Sequence, residues 1–382
     1  MECKFLDHGL ALAYQETVKP CCTWQFDKDY QSTHQIGRVD LITWHKHPDI
    51  QRAKDLLKQG IWPKNCSFCE EQEKQGRSDS MRLNAASSYQ LYGQDDLTLE
   101  IRPGSVCNFA CQTCWPAASS RVNEYYQKAK ISAPTKQLLT SVNIDQKFNF
   151  TNFDFLDPIA HRIKSIVLLG GEPFYDKNCL AFLEWWDANT NAELLMFTNG
   201  SCVKFDLLEK AKNKITLVFS LDAVGKPAEY IRFGTDWDQV YANLCRALAY
   251  DQIDVRINIT QSVYNFVYLD QLLELFIDKW PSLITFGPAY EPYFNESVVP
   301  NKYRQEIIDR LEATNAKLLK ANIEQGQKHN AINALVSVIN NLQSSEFNYE
   351  NWAKFKDFVN KMDDVKNISI KNYCPEVADY IS

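Results

Sequence analysis

The stretch SVCNFACQTCW at residues 105 to 115 constrains this chain most. It sets Cys107, Cys111 and Cys114 in a C-x3-C-x2-C array directly after a strand-like run, LTLEIR, at residues 97 to 102. Three thiolates on one tight loop can hold a single small inorganic centre. Cys thiolates are the usual ligands of iron–sulfur clusters, and three of them leave a four-iron cluster with one iron that lacks a protein ligand. That open iron can take a substrate or cosubstrate. A zinc knuckle or an incidental Cys-rich loop is the plainer reading of the motif taken alone.

At 382 residues and 44.1 kDa the chain exceeds one typical domain, so a large core with an appendage is expected. Hydrophobic residues at 45% and charged residues at 23% fit a globular chain and argue against extended disorder. There is no apolar run of about 18 residues, so no membrane span is expected. The segment MECKFLDHGLALAYQE does not read as a signal peptide, which leaves the cytoplasm as the expected location. A net charge of -7 and a pI of about 5.5 supply no basic field for phosphate backbones, so nucleic acid is not the expected partner, although a local basic groove stays open. Twelve cysteines in such a chain point to metal or catalysis more readily than to disulfides.

In chain order, residues 1 to 93 read as a first unit. Cys3 opens a strand-like segment, GLALAY alternates like a second strand, and VKPCCTW resembles a third that ends at Cys21 and Cys22. A helix is expected over PDIQRAKDLLKQG, and the C-x2-C pair Cys66 and Cys69 opens another. Cys3, Cys21, Cys66 and Cys69 supply the four ligands of a closed metal site, for which zinc and a four-iron cluster are both chemically admissible. Cys22 competes with Cys21, since neighbours on an extended segment point to opposite faces. Cys374 is a weaker candidate, and Cys179, Cys202 and Cys245 read as buried apolar residues. Of the six histidines only His45 and His47 are closely spaced, and both read as surface residues.

From residue 94 to 290 the strand-like runs LTLEIR, SIVLL, ELLMFT, ITLVFS, IDVRINIT and LITFG alternate with helical ones, which implies parallel strands joined by right-handed crossovers. Residues 131 to 160 form an insertion rich in Asn, Phe and Asp. From 291 to 382 the pattern is helical, ending in KNYCPEVADYIS, which lacks helical periodicity and is expected to pack back on the body.

The C-x3-C-x2-C spacing, with LLGGEPF at 168 to 174, resembles the radical S-adenosylmethionine superfamily. In that family three cysteines hold a [4Fe–4S] cluster whose open iron is chelated by S-adenosylmethionine. The resemblance implies an α/β fold: a partial (β/α)6 TIM-like barrel, with a small N-terminal α+β iron–sulfur domain and a C-terminal helical extension. Chemistry is then expected at the C-terminal ends of the strands. By analogy, Gly170, Gly171, Glu172 and Pro173 would line the amino group of the cosubstrate. Thr198, Asn199, Ser220, Asp222 and Asn258 would reach its ribose or methionyl carboxylate, and Arg232 suits a bidentate carboxylate contact. The plainer reading makes TNG a turn and SLDA a helix cap. The order of Cys3, Cys21, Cys66 and Cys69 resembles a twitch domain, the shortened relative of the SPASM domain that carries an auxiliary [4Fe–4S] cluster. Here it precedes the core, and the resemblance favours Cys21 over Cys22.

The implied activity is reductive cleavage of S-adenosylmethionine to a 5′-deoxyadenosyl radical that abstracts hydrogen from a small-molecule or peptide substrate. The auxiliary cluster would assist oxidation, and a flavodoxin or ferredoxin would supply electrons. A non-catalytic iron–sulfur electron carrier and a zinc-binding interaction module are the alternatives; neither needs the GGEP, TNG and SLDA segments.

Overall fold

In a computed structural model, residues 1–13, 17–26, 28–74, 80–89, 92–132 and 152–382 are described. Most of the insertion expected over 131 to 160 lies outside them. The chain forms two compact units, the first from Met1–Ser105, Lys136–Met196 and Asp206–Ile215, the second from Val106–Thr135, Phe197–Phe205 and Thr216–Ser382.

In the first unit the strands follow the order β2 (Thr17–Lys19), β1 (Gly9–Ala13), β3 (Leu97–Ile101), β4 (Ile163–Leu168) and β5 (Glu193–Thr198). β1 and β2 are antiparallel, and every other pair is parallel. The division at residue 93 expected from sequence is not where the units part, because Gly9–Leu12 hydrogen-bonds in parallel register with Thr98–Ile101 and so ties the N-terminal segment to the same sheet. Cys3 does not open a strand: the residues after it turn into a short helix, Phe5–His8. The helix Lys177–Asn189 is capped by Asp176, whose carboxylate accepts the Asn178 amide at 2.9 Å.

The second unit holds β6 (Ile215–Ser220), β7 (Ile253–Gln261) and β8 (Leu283–Pro288). β6 buries Ile215, Thr216, Leu217, Val218 and Phe219 in succession, the mark of a parallel strand covered on both faces. β7 alternates instead: Ile253, Val255, Ile257 and Ile259 are buried, while Asp254, Arg256 and Asn258 take the other face. It pairs in parallel with β8 from Arg256–Leu283 to Gln261–Pro288. Between β6 and β7 stand two helices, Gly225–Ile231 and Trp237–Ala247; the first was not legible as periodicity because it is two turns long and begins with Gly, Lys and Pro.

Three long helices follow, Asn301–Lys320, Gln325–Ser344 and Tyr349–Lys366. The segment KNYCPEVADYIS forms short helical turns and buries Cys374, Val377 and Tyr380. The α/β class with mostly parallel strands and a helical C-terminal part therefore holds.

Candidate iron–sulfur and cosubstrate sites

The second unit carries the C-x3-C-x2-C loop and fixes it from four sides. Backbone amides of Ala110 and Gln112 donate to Phe233 and Ile231 carbonyls at 2.8 and 2.7 Å, so the loop runs alongside residues 231–233. Ser119 donates to the Phe109 carbonyl at 3.1 Å and caps the helix Ser120–Lys128 through the Val122 amide. Asn108 donates to the Ser201 hydroxyl and accepts from the Asn199 amide, both at 2.9 Å. Lys366, the last residue of the helix Tyr349–Lys366, donates to the Ala110 carbonyl at 2.9 Å and to Gln112 Oε1 at 3.0 Å. Burial pulls the Lys366 ammonium down to about 7, while Cys111 and Asp363 act to keep its proton on.

Above this loop sits Arg232. Its Nε pairs with Asp222 Oδ2 at 2.9 Å, and its Nη1 donates to Cys111 Sγ at 3.9 Å. Burial opposes the Arg232 charge, but Asp222, Cys111 and Cys114 outweigh it and hold the guanidinium even more firmly protonated than usual. Burial also pushes the Cys111 thiol up, with Arg232 opposing the rise. A metal cation that coordinates these sulfurs would take them as thiolates outright. The three-cysteine loop thus fits a cluster.

The polar residues expected around it separate by role. Asp222 is wholly buried, and its carboxylate is taken by Arg232 and by the Thr260 amide at 2.8 Å. SLDA is not a helix cap, since the helix Gly225–Ile231 has Val224 at its cap with no side-chain bond. Asn258 accepts from the Thr285 hydroxyl at 3.1 Å, and its carbonyl accepts from the Leu221 amide at 3.0 Å. Ser220 ends β6, half-buried. The TNG segment is a turn: Thr198 Oγ1 accepts the Gly200 amide at 3.0 Å, and Asn199 Oδ1 accepts the Ser201 amide at 2.9 Å. Gly200 has φ +77°, and a Cβ there would lie 2.9 Å from the Phe219 ring, so both conformation and space require glycine. Through Asn199 and Asn108 this turn anchors the cysteine loop.

GGEP lies in the first unit. Glu172 and Pro173 are buried, Gly170 and Gly171 half-buried. Glu172 Oε1 accepts the Phe174 amide at 3.3 Å, and its carbonyl accepts the amides of Tyr175 and Asp176. A Cβ on Gly170 would stand 3.1 Å from Cys179 Sγ, so this glycine also serves close packing.

The other four cysteines meet in the first unit, where Cys3, Cys21, Cys66 and Cys69 line one small apolar cavity together with Trp24 and Trp62. Cys22 is not among its lining residues; its thiol meets the Glu100 carboxyl instead. Burial, then Cys21, pushes the Cys3 thiol up to about 12, and burial followed by Cys21, Cys3 and Cys69 raises that of Cys66. Arg82 also lines the cavity; its Nε donates to Glu73 Oε1 at 2.9 Å, and that carboxylate in turn accepts the Ser80 hydroxyl at 2.6 Å. The Glu73 bond, and to a smaller degree Cys3 and Cys69, hold the Arg82 proton more tightly despite burial. Around a four-thiolate zinc ion the sulfur atoms stand about 3.8 Å apart. A four-iron cluster holds its four thiolates wider apart, and these four cysteines can serve either centre.

Asn108, Gln112, Lys366 and Arg82 were not foreseen as site residues. Asn108 and Gln112 stand inside the cysteine motif itself, which was a usable signal. Lys366 reads in sequence as a basic residue in a last helical turn, and nothing there distinguishes it.

No protein-family model and no curated protein matches the sequence. Among solved structures, the chain is similar to anSMEcpe with bound AdoMet and Cp18Cys peptide, at 17% identity over 58% of this chain and 61% of that one, with a TM-score of 0.37. It is similar to Streptococcus suis SuiB bound to S-adenosylmethionine, at 16% identity over 72% and 59%, TM-score 0.37. TYW1 with a lysine-pyruvate adduct bound gives 14% identity over 70% and 89%, TM-score 0.37. The chain spans about three fifths of the length of the first two, at 61% and 59%.

Proposed function

We propose that the chain is a radical S-adenosylmethionine enzyme in which Cys107, Cys111 and Cys114 hold a [4Fe–4S] cluster and Cys3, Cys21, Cys66 and Cys69 hold a second one. The observation that carries this reading is Arg232: a guanidinium 12% exposed at its side chain, locked to a fully buried carboxylate and reaching Cys111 Sγ at 3.9 Å. A guanidinium beside cysteine sulfurs offsets thiolate charge in any such centre, as Arg82 would at the second site; Arg232 in addition offers the fork that a cosubstrate bringing a carboxylate to that loop would use. When bound, the cluster and S-adenosylmethionine supply reductive scission of the sulfonium C5′–S bond and the 5′-deoxyadenosyl radical that abstracts hydrogen from substrate.

The chain's own residues then have distinct tasks. Asp222 aligns and charges Arg232; Arg232 offsets thiolate charge and binds the cosubstrate carboxylate. Asn108, Asn199, Ser119 and Lys366 hold the loop rigid, so that three sulfurs keep one geometry through a redox cycle. In the first unit, the four-cysteine cavity leaves no ligand position for substrate, which suits a centre that exchanges electrons with a substrate radical. Trp24 and Trp62 keep that centre dry, and Arg82 balances its charge. The substrate is a small molecule or a peptide, and the electrons come from a donor such as flavodoxin or ferredoxin.

The test is anaerobic reconstitution followed by reduction in the presence of S-adenosylmethionine. Close to two four-iron clusters per chain and slow formation of 5′-deoxyadenosine are expected. One zinc per chain, no sulfide and no nucleoside product would overturn the proposal.

A further inference from the structure

Apart from the cysteine sites, the first unit brings one ligand atom each of His34, His47 and Asp49 within 4.8 Å of one another. They come from two segments. His34 follows the helix Lys28–Thr33; His47 precedes, and Asp49 begins, the helix Pro48–Lys58. His34 is 4% exposed, and its ring lies flat on that of Tyr30 with centroids 3.6 Å apart. The histidine pair read as surface residues therefore divides: His45 lies 3.5 Å from the Arg162 guanidinium, while the His47 ring turns its centroid to 4.6 Å from that of His34.

The protons of His34 can be placed. Nδ1 stands 2.9 Å from the Tyr30 carbonyl oxygen, which only accepts, so Nδ1 carries the hydrogen. The Thr33 hydroxyl, also 2.9 Å from that nitrogen, donates instead to the carbonyls of Asp29 and Tyr30. In the neutral ring Nε2 thus presents a lone pair. No hydrogen-bond donor meets it; what faces it is Asp49 Oδ2, at 3.1 Å. Two lone pairs at that distance repel, and a cation must lie on or between them. A second proton on the ring would serve for an isolated pair. His47 Nδ1 stands 3.9 Å from the same carboxylate oxygen while it accepts the Asp49 amide at 3.4 Å as the cap of its helix, a long bond that an ion at this point would replace. In a tetrahedral zinc site with ligands at about 2.0–2.1 Å, neighbouring ligand atoms stand roughly 3.4 Å apart. The 3.1 and 3.9 Å separations bracket that value.

We propose that His34, His47 and Asp49 form a third metal site, for a divalent transition-metal ion such as zinc, with water completing the shell. Two imidazoles and one carboxylate suit such borderline ions and not the soft cluster iron of the cysteine sites. Asp49, with its side chain 42% exposed, leaves the ion an entry path. The ion fastens the end of one helix to the start of the next, and it uses no residue of the proposed iron–sulfur chemistry.

Cobalt(II) tests this in the full chain, reconstituted and kept anaerobic. Uptake of one further equivalent is expected, with weak visible d–d absorption and without the intense near-ultraviolet band of thiolate ligation. The conservative variants Asp49→Asn and His47→Asn, like His34→Ala, should weaken that uptake by about 100-fold or more. Zinc should raise the unfolding temperature of the unaltered protein but not of Asp49→Asn. Uptake that carries the thiolate band, uptake that all three substitutions leave unchanged, or no uptake with a histidinium signal at His34 would overturn the assignment. In a chain that lacked both clusters the free cysteines would also take cobalt, and there the loss of one equivalent without change of the thiolate band in Asp49→Asn decides the matter.

Discussion

Asp222→Ala and Arg232→Met form a thermodynamic cycle that isolates the ion pair beside the cysteine loop. Removing one partner of a buried pair costs about 3–5 kcal/mol, because the other charge stays behind in a poorly solvated place. Asp222 is wholly buried and also accepts the Thr260 amide, whose loss of a partner adds about 1–3 kcal/mol. Asp222→Ala should therefore destabilise by about 4–8 kcal/mol. At roughly 2–4 °C per kcal/mol for a unit of this size, the unfolding temperature falls by about 8–30 °C. Arg232→Met keeps much of the apolar stem and should cost about 3–5 kcal/mol. In the double variant neither charge is stranded, so its loss should fall short of the sum by about 2 kcal/mol or more. Anaerobic thermal and denaturant unfolding of cluster-loaded protein measures all four corners. Additivity within about 0.5 kcal/mol would show that the two side chains do not act as a pair. Equilibrium dialysis against S-adenosylmethionine adds the functional reading. Arg232→Met and the double variant should both bind about 10–100-fold more weakly, the worth of one to two charge-assisted hydrogen bonds, even where the double variant has regained stability. Unchanged binding in Arg232→Met would remove Arg232 from the cosubstrate site.

Replacing Cys107, Cys111 and Cys114 together by Ala should halve the iron and abolish 5′-deoxyadenosine formation, while the second cluster's absorbance remains. Cys69→Ala should remove the second cluster, lower the unfolding temperature and stop product formation, yet leave cosubstrate cleavage intact, because metal binding at a four-ligand site is coupled to folding. Cys22→Ala should do neither; loss of the second cluster in Cys22→Ala but not in Cys21→Ala would reverse the ligand choice. Glu172→Ala should weaken S-adenosylmethionine binding at constant iron content, as measured by dialysis and iron assay. Lys366→Met preserves the stem but strands the Ala110 carbonyl and Gln112 Oε1, and should cost about 2 kcal/mol with a shifted cluster reduction potential. An unchanged potential would confine Lys366 to a structural part.

The parallel strands were legible because each is a short apolar run bounded by turn residues, and β6 and β7 show the two patterns, continuous and alternating, that burial on two faces or one produces. The cysteine sets were legible by spacing. What stayed hidden depends on three dimensions. Asp222 and Arg232 are ten positions apart, and only the fold shows that the acid spends its charge on the base. The resemblance favours Cys21 over Cys22, and only the fold shows that Cys21 lines the cavity and Cys22 does not. The His34, His47 and Asp49 group spans a loop, so no spacing rule finds it. Cys3 was read as strand because CKFL is apolar enough for either element, and the short Phe5–His8 helix is set by tertiary packing that propensity does not encode.

Lys366 has a consequence for how the protein is made. It lies 256 positions after Ala110, whose carbonyl it holds. At ribosomal speeds of about 5–20 residues per second, roughly 10–50 s pass between synthesis of the cysteine loop and arrival of the ammonium that completes it. Through that interval three thiols wait in an unfinished loop. If Cys107, Cys111 and Cys114 hold the proposed cluster, its stable assembly follows translation of the long helix Tyr349–Lys366, and a nascent chain stalled before that helix should be unable to retain iron on them.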